Sequence, residues 1–263
     1  MNYSPKNLQK PKLKKTAVSI KILGVSLDST SYGEVLTLVN RRLENCRQTF
    51  IVTPNPEFLV FAQSNQWFKE LLNSADLAIP DGVGLVWASR ILGKPLRARL
   101  TGVDLMTKLC QRAAARGWTV FLLGGEKGVA QKALSKLQAS FPGLKGWAES
   151  GPRLTLESWS RKEVARWQEK VAQKSPDLLF VALGMGKQEK FIAAIFKKIP
   201  VKLAMGVGGA FDYLAGKINR APSWMRAFGL EWFYRLLREP KRWRRQLSLL
   251  KFIYLLTKER SSV

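Results

Sequence analysis

Two short stretches put polar side chains where an apolar strand gives way to a helix. TPNPE supplies Thr53 and Asn55 after the run FIV, and IPDGVG supplies Asp81 after LAI. A carboxylate at the carboxyl end of a strand, beside Gly82 and Gly84, is placed for general-base work on a bound hydroxyl. The same aspartate could instead serve as the N-cap of the helix that follows. Thr53 and Asn55 face the same two readings, and Asn55, followed by Pro56 and Glu57, is the more cap-like.

Two further turns qualify as ligand positions: LLGGEKGVA, with Gly124 and Gly125, and ALGMGKQE, with Gln188. Glycine lets the backbone approach a phosphate, and a helix N-terminus adds N–H donors and partial positive charge. GGEKG is not a Walker loop, because no G-K-[ST] follows. Nor is it a GxGxxG fingerprint, since its first two glycines adjoin, and a tight turn without a ligand is an equal reading. Near the C-terminus, EWFYRLLREPKRWRRQ interleaves bases with Trp232, Phe233, Tyr234 and Trp243. Trp243, Leu247, Leu250 and Tyr254 then form one stripe at helical spacing, with Lys241, Arg244, Arg245 and Lys251 mostly off it. Such a helix suits a headgroup interface, where each base near an anionic surface adds about 1 kcal/mol. The competing reading is a helix packed on the domain with a solvated basic face.

These residues must be read against an unusual composition. The 263-residue chain has 44 Lys+Arg against 19 Asp+Glu, a formal charge of +25, which implies an anionic partner: nucleic acid, phospholipid headgroups or a phosphorylated substrate. The chain contains no histidine, which excludes a Ser-His-Asp triad, a histidine base and a histidine-bearing zinc site. Cys46 and Cys110 fit no metal spacing and read as ordinary buried thiols in a reducing compartment. Residues 1–17 read as a basic, disordered leader without the apolar segment of a signal peptide. No apolar run approaches the ~18 residues of a membrane span, so a cytoplasmic protein is expected.

The elements that would position the candidates alternate strand and helix. VSIKILGVSLD reads as a strand followed by a turn, SYGEVLTLVNRRLENCR as a helix, and TFIVT as a strand. A helix capped by Asn55 runs to about Asn73, followed by strand LAIP and helix VGLVWASRILG. A helix opening at Thr101 or Asp104 precedes strand WTVFLLGG and helix EKGVAQKALSKLQASF. A polar connection over 142–160 leads to helix RKEVARWQEKVAQK, strand LLFVALG, helix KQEKFIAAIFKKI and strand VKLAMGVGGAF. Repeated βα units with near-continuous apolar strands predict an α/β fold: a Rossmann-like, mostly parallel sheet with helices on both faces, over 18–219. From Arg220 the alternation stops. Residues 220–263 carry eleven bases against three acids, Glu231, Glu239 and Glu259, and read as a helical, basic, amphipathic appendage.

Taken in order, TPNPEFLVFAQ, LAIPDGVGLVWASR, TGVDLM, GMGKQEKF, GVGGAFDYLAGKINRAP and GLEWFYRLLREPKRWRR resemble the successive motifs of the WecG/TagA/CpsF glycosyltransferases. The resemblance covers roughly 18–246. It implies transfer of an N-acetylmannosamine-type sugar, with inversion, from a UDP donor to a polyprenyl-diphosphate-linked N-acetylglucosamine on the inner membrane face. It places the base on Asp81 and active-site polar groups on Thr53 and Asn55. Arginines that reach the donor diphosphate fall on Arg235, Arg242 and Arg245, and Gln188 falls near the donor pocket. Many glycosyltransferases offset the charge of the leaving UDP with a metal held by Asp-x-Asp. This chain lacks that motif, so arginines and helix N-termini are expected to take that part, with no cofactor and no metal.

The implied partners are the UDP-sugar, the lipid-linked acceptor and an anionic inner membrane surface met by the C-terminal helices; homo-oligomerisation is left open. A non-catalytic nucleic-acid-binding protein would use the same charge, but the aromatics lie on an amphipathic stripe and no nucleic-acid module appears. A nicotinamide-dependent Rossmann enzyme is weakened by the broken glycine fingerprint and by the lack of a clear acidic ribose contact.

Overall fold

A computed structural model describes residues 18–152, 155–156, 160–239 and 243–260; the basic leader lies outside these. The chain starts with an antiparallel hairpin, β1 (Val18–Ile22) and β2 (Val25–Ser29), where a single strand was expected. Leu23 and Gly24 turn it, both at positive φ (50° and 75°), the conformation that matches hairpin twist. Helix α1 (Tyr32–Glu44) follows, opened by a capping box between Ser31 and Glu34.

Strand β3 (Thr49–Val52) leads into α2 (Pro56–Ser64) and α3 (Gln66–Ser74). The sequence suggests one helix here, but it breaks at Asn65, whose side-chain amide donates to the Phe61 carbonyl at 2.9 Å and competes with the helical ladder. Then come β4 (Leu77–Ala78), α4 (Val83–Ile91), α5 (Gly102–Arg116), β5 (Thr119–Gly124) and α6 (Val129–Ser140). The polar connection expected over 142–160 contains a further strand, β6 (Lys145–Glu149), paired in parallel to β5. Helix α7 (Arg161–Lys174), β7 (Leu178–Ala182), α8 (Lys187–Ile195) and β8 (Leu203–Gly206) complete the alternation.

The six strands β3–β8 form one parallel sheet in the order β4-β3-β8-β7-β5-β6. Alternate residues feed two cores. Phe50, Val52, Phe121 and Leu123 pack on one face with α2, α3, α8 and the hairpin. Ile51, Val120 and Leu122 pack on the other with α1, α5 and α6. Because both faces are covered, the inner strands are apolar throughout, as parallel sheets require. The order places the carboxyl ends of β3 and β8 side by side, next to the crossover that carries the chain from β4 to β5, where open α/β sheets bind ligands.

After β8 the helices are α9 (Ala210–Leu214), α10 (Ser223–Ala227), α11 (Glu231–Arg238) and α12 (Trp243–Arg260). Helix α12 returns to the body of the fold. Phe252 and Leu256 are buried in the first core, and the Glu259 carboxylate accepts the Leu23 N–H of the hairpin turn at 3.0 Å. The face thus buried is not the Trp243–Leu247–Leu250–Tyr254 stripe, whose four side chains stay exposed. Of the two cysteines, Cys110 is buried as expected, whereas Cys46 is exposed at the end of α1.

Candidate active site

The turns after β3 and β4 are locked together by backbone. The Asp81 N–H donates to the Pro54 carbonyl at 2.7 Å, and Asp81 forms an isolated parallel bridge with Leu100. Gly82, at φ 89°, then swings the chain into α4 and is itself the N-cap residue. Asp81 is therefore not the cap, and its carboxyl faces Gly102 at the N-terminus of α5. A Cβ built on Gly102 would lie 3.6 Å from Asp81 Oδ2 and 3.4 Å from Thr53 Oγ1, so both side chains converge on that glycine. Thr53 is buried, and its hydroxyl donates to the Gly206 carbonyl at the end of β8 (3.4 Å). Asn55 is the N-cap of α2, with Oδ1 accepting the Phe58 N–H at 3.0 Å. Thr53, Asn55 and Asp81 all line one cleft of about 2600 Å³.

Burial is the largest influence on Asp81, and the negative charge of Glu231 adds to it; together they push its carboxyl from an ordinary 3.8 up to about 7. The Gly102 N–H and Arg99 pull the other way, and Asp104 adds a smaller upward push. An aspartate held there changes protonation near neutral pH, which is where a general base works best.

The glycine turns divide between packing and exposure. Gly124 (φ 123°) does not line the cleft. A Cβ on it would lie 2.3 Å from the Ala182 carbonyl oxygen, so glycine there allows β5 and β7 to end in contact. Gly125 does line the cleft, with its N–H donating to that same carbonyl at 2.9 Å. Gln188 borders the cleft but is buried, with its amide committed: Oε1 accepts the Gly208 N–H (3.0 Å) and Nε2 donates to Glu189 Oε1 (2.7 Å). In this arrangement Gln188 holds the turn after β8 in place.

Arg235 of α11 also lines the cleft. Its guanidinium lies 4.9 Å from the Tyr213 ring centre, its Nε is 3.2 Å from Glu239, and a Cβ on Gly209 would sit 2.8 Å from one of its Nη atoms. Only glycine at 209 lets the guanidinium lie so close to the backbone at the mouth of the β8 turn. Arg242 lies outside the described residues, and Arg245 is placed only as a position on α12. Among the described residues no three acidic or cysteine side chains gather as a metal cage.

Sequence reasoning missed the polar group behind Asp81. Arg220 is bidentate on Asp104 (2.6 and 2.9 Å), its Nε is 3.3 Å from Glu231, and Glu231 is 3.5 Å from Arg99. Thr101 and Asp104 were visible only as rival helix starts; Thr101 is the cap, accepting the Asp104 N–H at 3.2 Å. Glu189, fully buried at the start of α8, was missed as well. Burial raises its carboxyl to about 7, and its Oε2 accepts the Gly186 N–H at 2.8 Å.

Residues 20–263 match the model of the Glycosyl transferase WecG/TagA/CpsF family. Three curated proteins named N-acetylglucosaminyldiphosphoundecaprenol N-acetyl-beta-D-mannosaminyltransferase are similar over most of their length. The one from Bacillus spizizenii is 38% identical over 239 residues, 90% of each chain. That from Bacillus subtilis is 36% identical over 209 residues, 80% of this chain and 79% of its own. That from Staphylococcus aureus is 33% identical over 246 residues, 93% of this chain and 94% of its own. The parallel sheet, the cleft at its carboxyl edge and these matches together make the chain a member of the WecG/TagA/CpsF family of glycosyltransferases.

Proposed function

We propose that this protein transfers N-acetylmannosamine from a UDP donor to a polyprenyl-diphosphate-linked N-acetylglucosamine, with inversion and without a metal ion, at the inner face of the membrane. The observation that carries the reading is the Asp81 carboxyl, converging with Thr53 on Gly102 in a cleft that Arg235 also lines. Asp81 takes the proton of the acceptor hydroxyl. The oxygen attacks the anomeric carbon from the face opposite the phosphate, and the bond to UDP breaks as the new glycosidic bond forms. The departing diphosphate gathers negative charge, which the guanidinium of Arg235, a residue lining the same cleft, offsets.

The lipid part of the acceptor is supported by the rest of the cleft. It runs from Asp81 past Trp87 and Ile91 of α4 to Leu247, Leu250 and Ile253 of α12, all large apolar side chains left at least half exposed. Trp224 of α10 and Phe228 at its end are exposed too, so this strongly basic protein carries large exposed apolar side chains both in the cleft and on the C-terminal segment. This arrangement suits an amphiphile with an anionic head, delivered from an anionic bilayer. Among the described residues no helix is long and apolar enough to cross a membrane.

The test is transfer from UDP-N-acetylmannosamine to a lipid-linked acceptor, with the anomeric configuration of the product read by NMR and EDTA in one arm. Wild type should turn over with inversion in EDTA, and Asp81→Asn should bind UDP yet transfer at least about 10³-fold more slowly. Near-normal turnover in that variant would remove Asp81 from its role.

A further inference from the structure

Helix α11 begins at Glu231, and the ion pairs of that residue tie the C-terminal segment to the start of α5. Arg220 joins it to Asp104 on α5, and Arg99 joins it to the segment entering α5 and, through the Arg226 carbonyl, to α10. These side chains are a fifth to a third exposed, so their ion pairs are only partly screened by water. On the other side of Asp81 the same C-terminal turn presses on α4. Gly229 sits so close that a Cβ on it would lie 2.8 Å from the Val83 Cβ, one residue beyond Gly82. The C-terminal helices therefore abut both elements that hold the candidate base: the start of α4 and the start of α5.

We propose that Glu231 is a positioning residue for the base: clamped by Arg99 and Arg220, it brings a fixed negative charge and a covering helix to Asp81, so that the carboxyl is tuned for proton abstraction only while α11 is seated. This rests on the reading of Asp81 as the base. The charged and titratable groups facing Asp81 are few and come from separate elements. Glu231 of α11 and Asp104 of α5 favour its neutral form, while Arg99 and the Gly102 N–H favour the carboxylate. Tyr32 of α1 sits behind them, its hydroxyl accepting the Thr101 N–H at 2.8 Å and its ionisation pushed up chiefly by burial, with smaller upward pushes from Asp104 and Asp81. Removing the charge of Glu231 takes away one group opposing ionisation and leaves Arg99 and Arg220 less compensated. Lifting α11 away adds water. Every one of these changes favours the carboxylate, so the base becomes weaker and ionises at lower pH. Seating of the C-terminal helices and strength of the base are then a single equilibrium.

The experiment is the pH profile of kcat/KM for wild type, Glu231→Gln and Glu231→Asp, with trypsin cleavage of the C-terminal helices measured in each. Wild type should lose activity as pH falls through about 7, the value burial and Glu231 give Asp81. In Glu231→Gln the acidic limb should move to lower pH and the plateau fall about tenfold, while Glu231→Asp should return the limb towards wild type. A purely structural glutamate would lower the plateau and leave the limb in place, and that result overturns the inference alone. Where turnover is too slow to profile, 13C NMR titration of the Asp81 carboxyl in the same proteins reads the same shift. A wild-type profile without a limb near neutrality would sink the base reading and the inference together.

Discussion

The turns after β4 and β7 each hold a carboxylic acid that burial drives to about 7, yet they do opposite things. Glu189 is sealed in, and its two oxygens accept the Gly186 N–H and the Gln188 amide, so its hydrogen bonds go into fastening a turn. Asp81 lines a cleft, meets one N–H at a helix N-terminus, and has another acid, Glu231, among the charges around it. A shifted acid is therefore not a site in itself. What separates the two is whether a substrate oxygen can come within reach of the carboxyl.

The contrast breaks first at the carboxyls themselves. Asp81→Asn should abolish transfer and at the same time stabilise the fold at pH 8. An acid whose folded value lies above its unfolded one adds stability below the unfolded value and loses it as pH rises through the folded one. Between 3.8 and about 7 that loss has a ceiling near 4 kcal/mol. Because the carboxyl opens on the cleft, about 1–3 kcal/mol is expected, seen as a higher Tm for the variant at pH 8 but not at pH 4. Glu189→Ala should do the reverse. It strands two buried donors and should cost roughly 2–4 kcal/mol in denaturant melts, with the folded fraction still active within a few-fold. If Glu189→Ala silenced a stably folded enzyme, the division between the two acids would be wrong.

Smaller changes sharpen the same picture at the rim. Arg235→Ala should lower kcat/KM by about 10–100-fold, and Arg235→Lys should recover little of it, because an ammonium cannot lie flat between Tyr213 and Gly209. Full recovery by lysine would reduce Arg235 to a point charge. Asn55→Ala should cost about 1 kcal/mol of stability through the lost cap of α2. An activity loss well beyond that would show Asn55 acting on substrate as well as on its helix.

Much of the fold was legible because a parallel sheet covered on both faces writes its strands as apolar runs, and FIV, LLFVA and VFLLG could hardly be anything else. The elements that escaped lack that mark. β6, KGWAE, is an edge strand with no fully buried side chain, so its composition looks like a connection. The hairpin turn uses Leu23 at a positive φ where asparagine or glycine would have announced it. Within the site, Thr53, Asn55 and Asp81 were legible because each sits in a local strand-to-helix turn. Whether Asp81 capped its helix could not be read, since that depended on Gly82 taking the cap position. The Glu231–Arg220–Asp104–Arg99 group was invisible for another reason. Its members are joined over separations of 116 and 132 residues, and each alone is one more charge in a basic chain.

The Glu259 contact with the hairpin turn gives the C-terminal helices a second buckle. One end is pinned where Arg220 grips Asp104, and the other where Glu259 meets Leu23, at opposite ends of the strap. A strap fastened twice is harder to lift than one fastened once, so access beneath it should depend on both buckles. Trimming the chain just short of Glu259 would undo the far buckle while leaving in place every residue that lines the cleft.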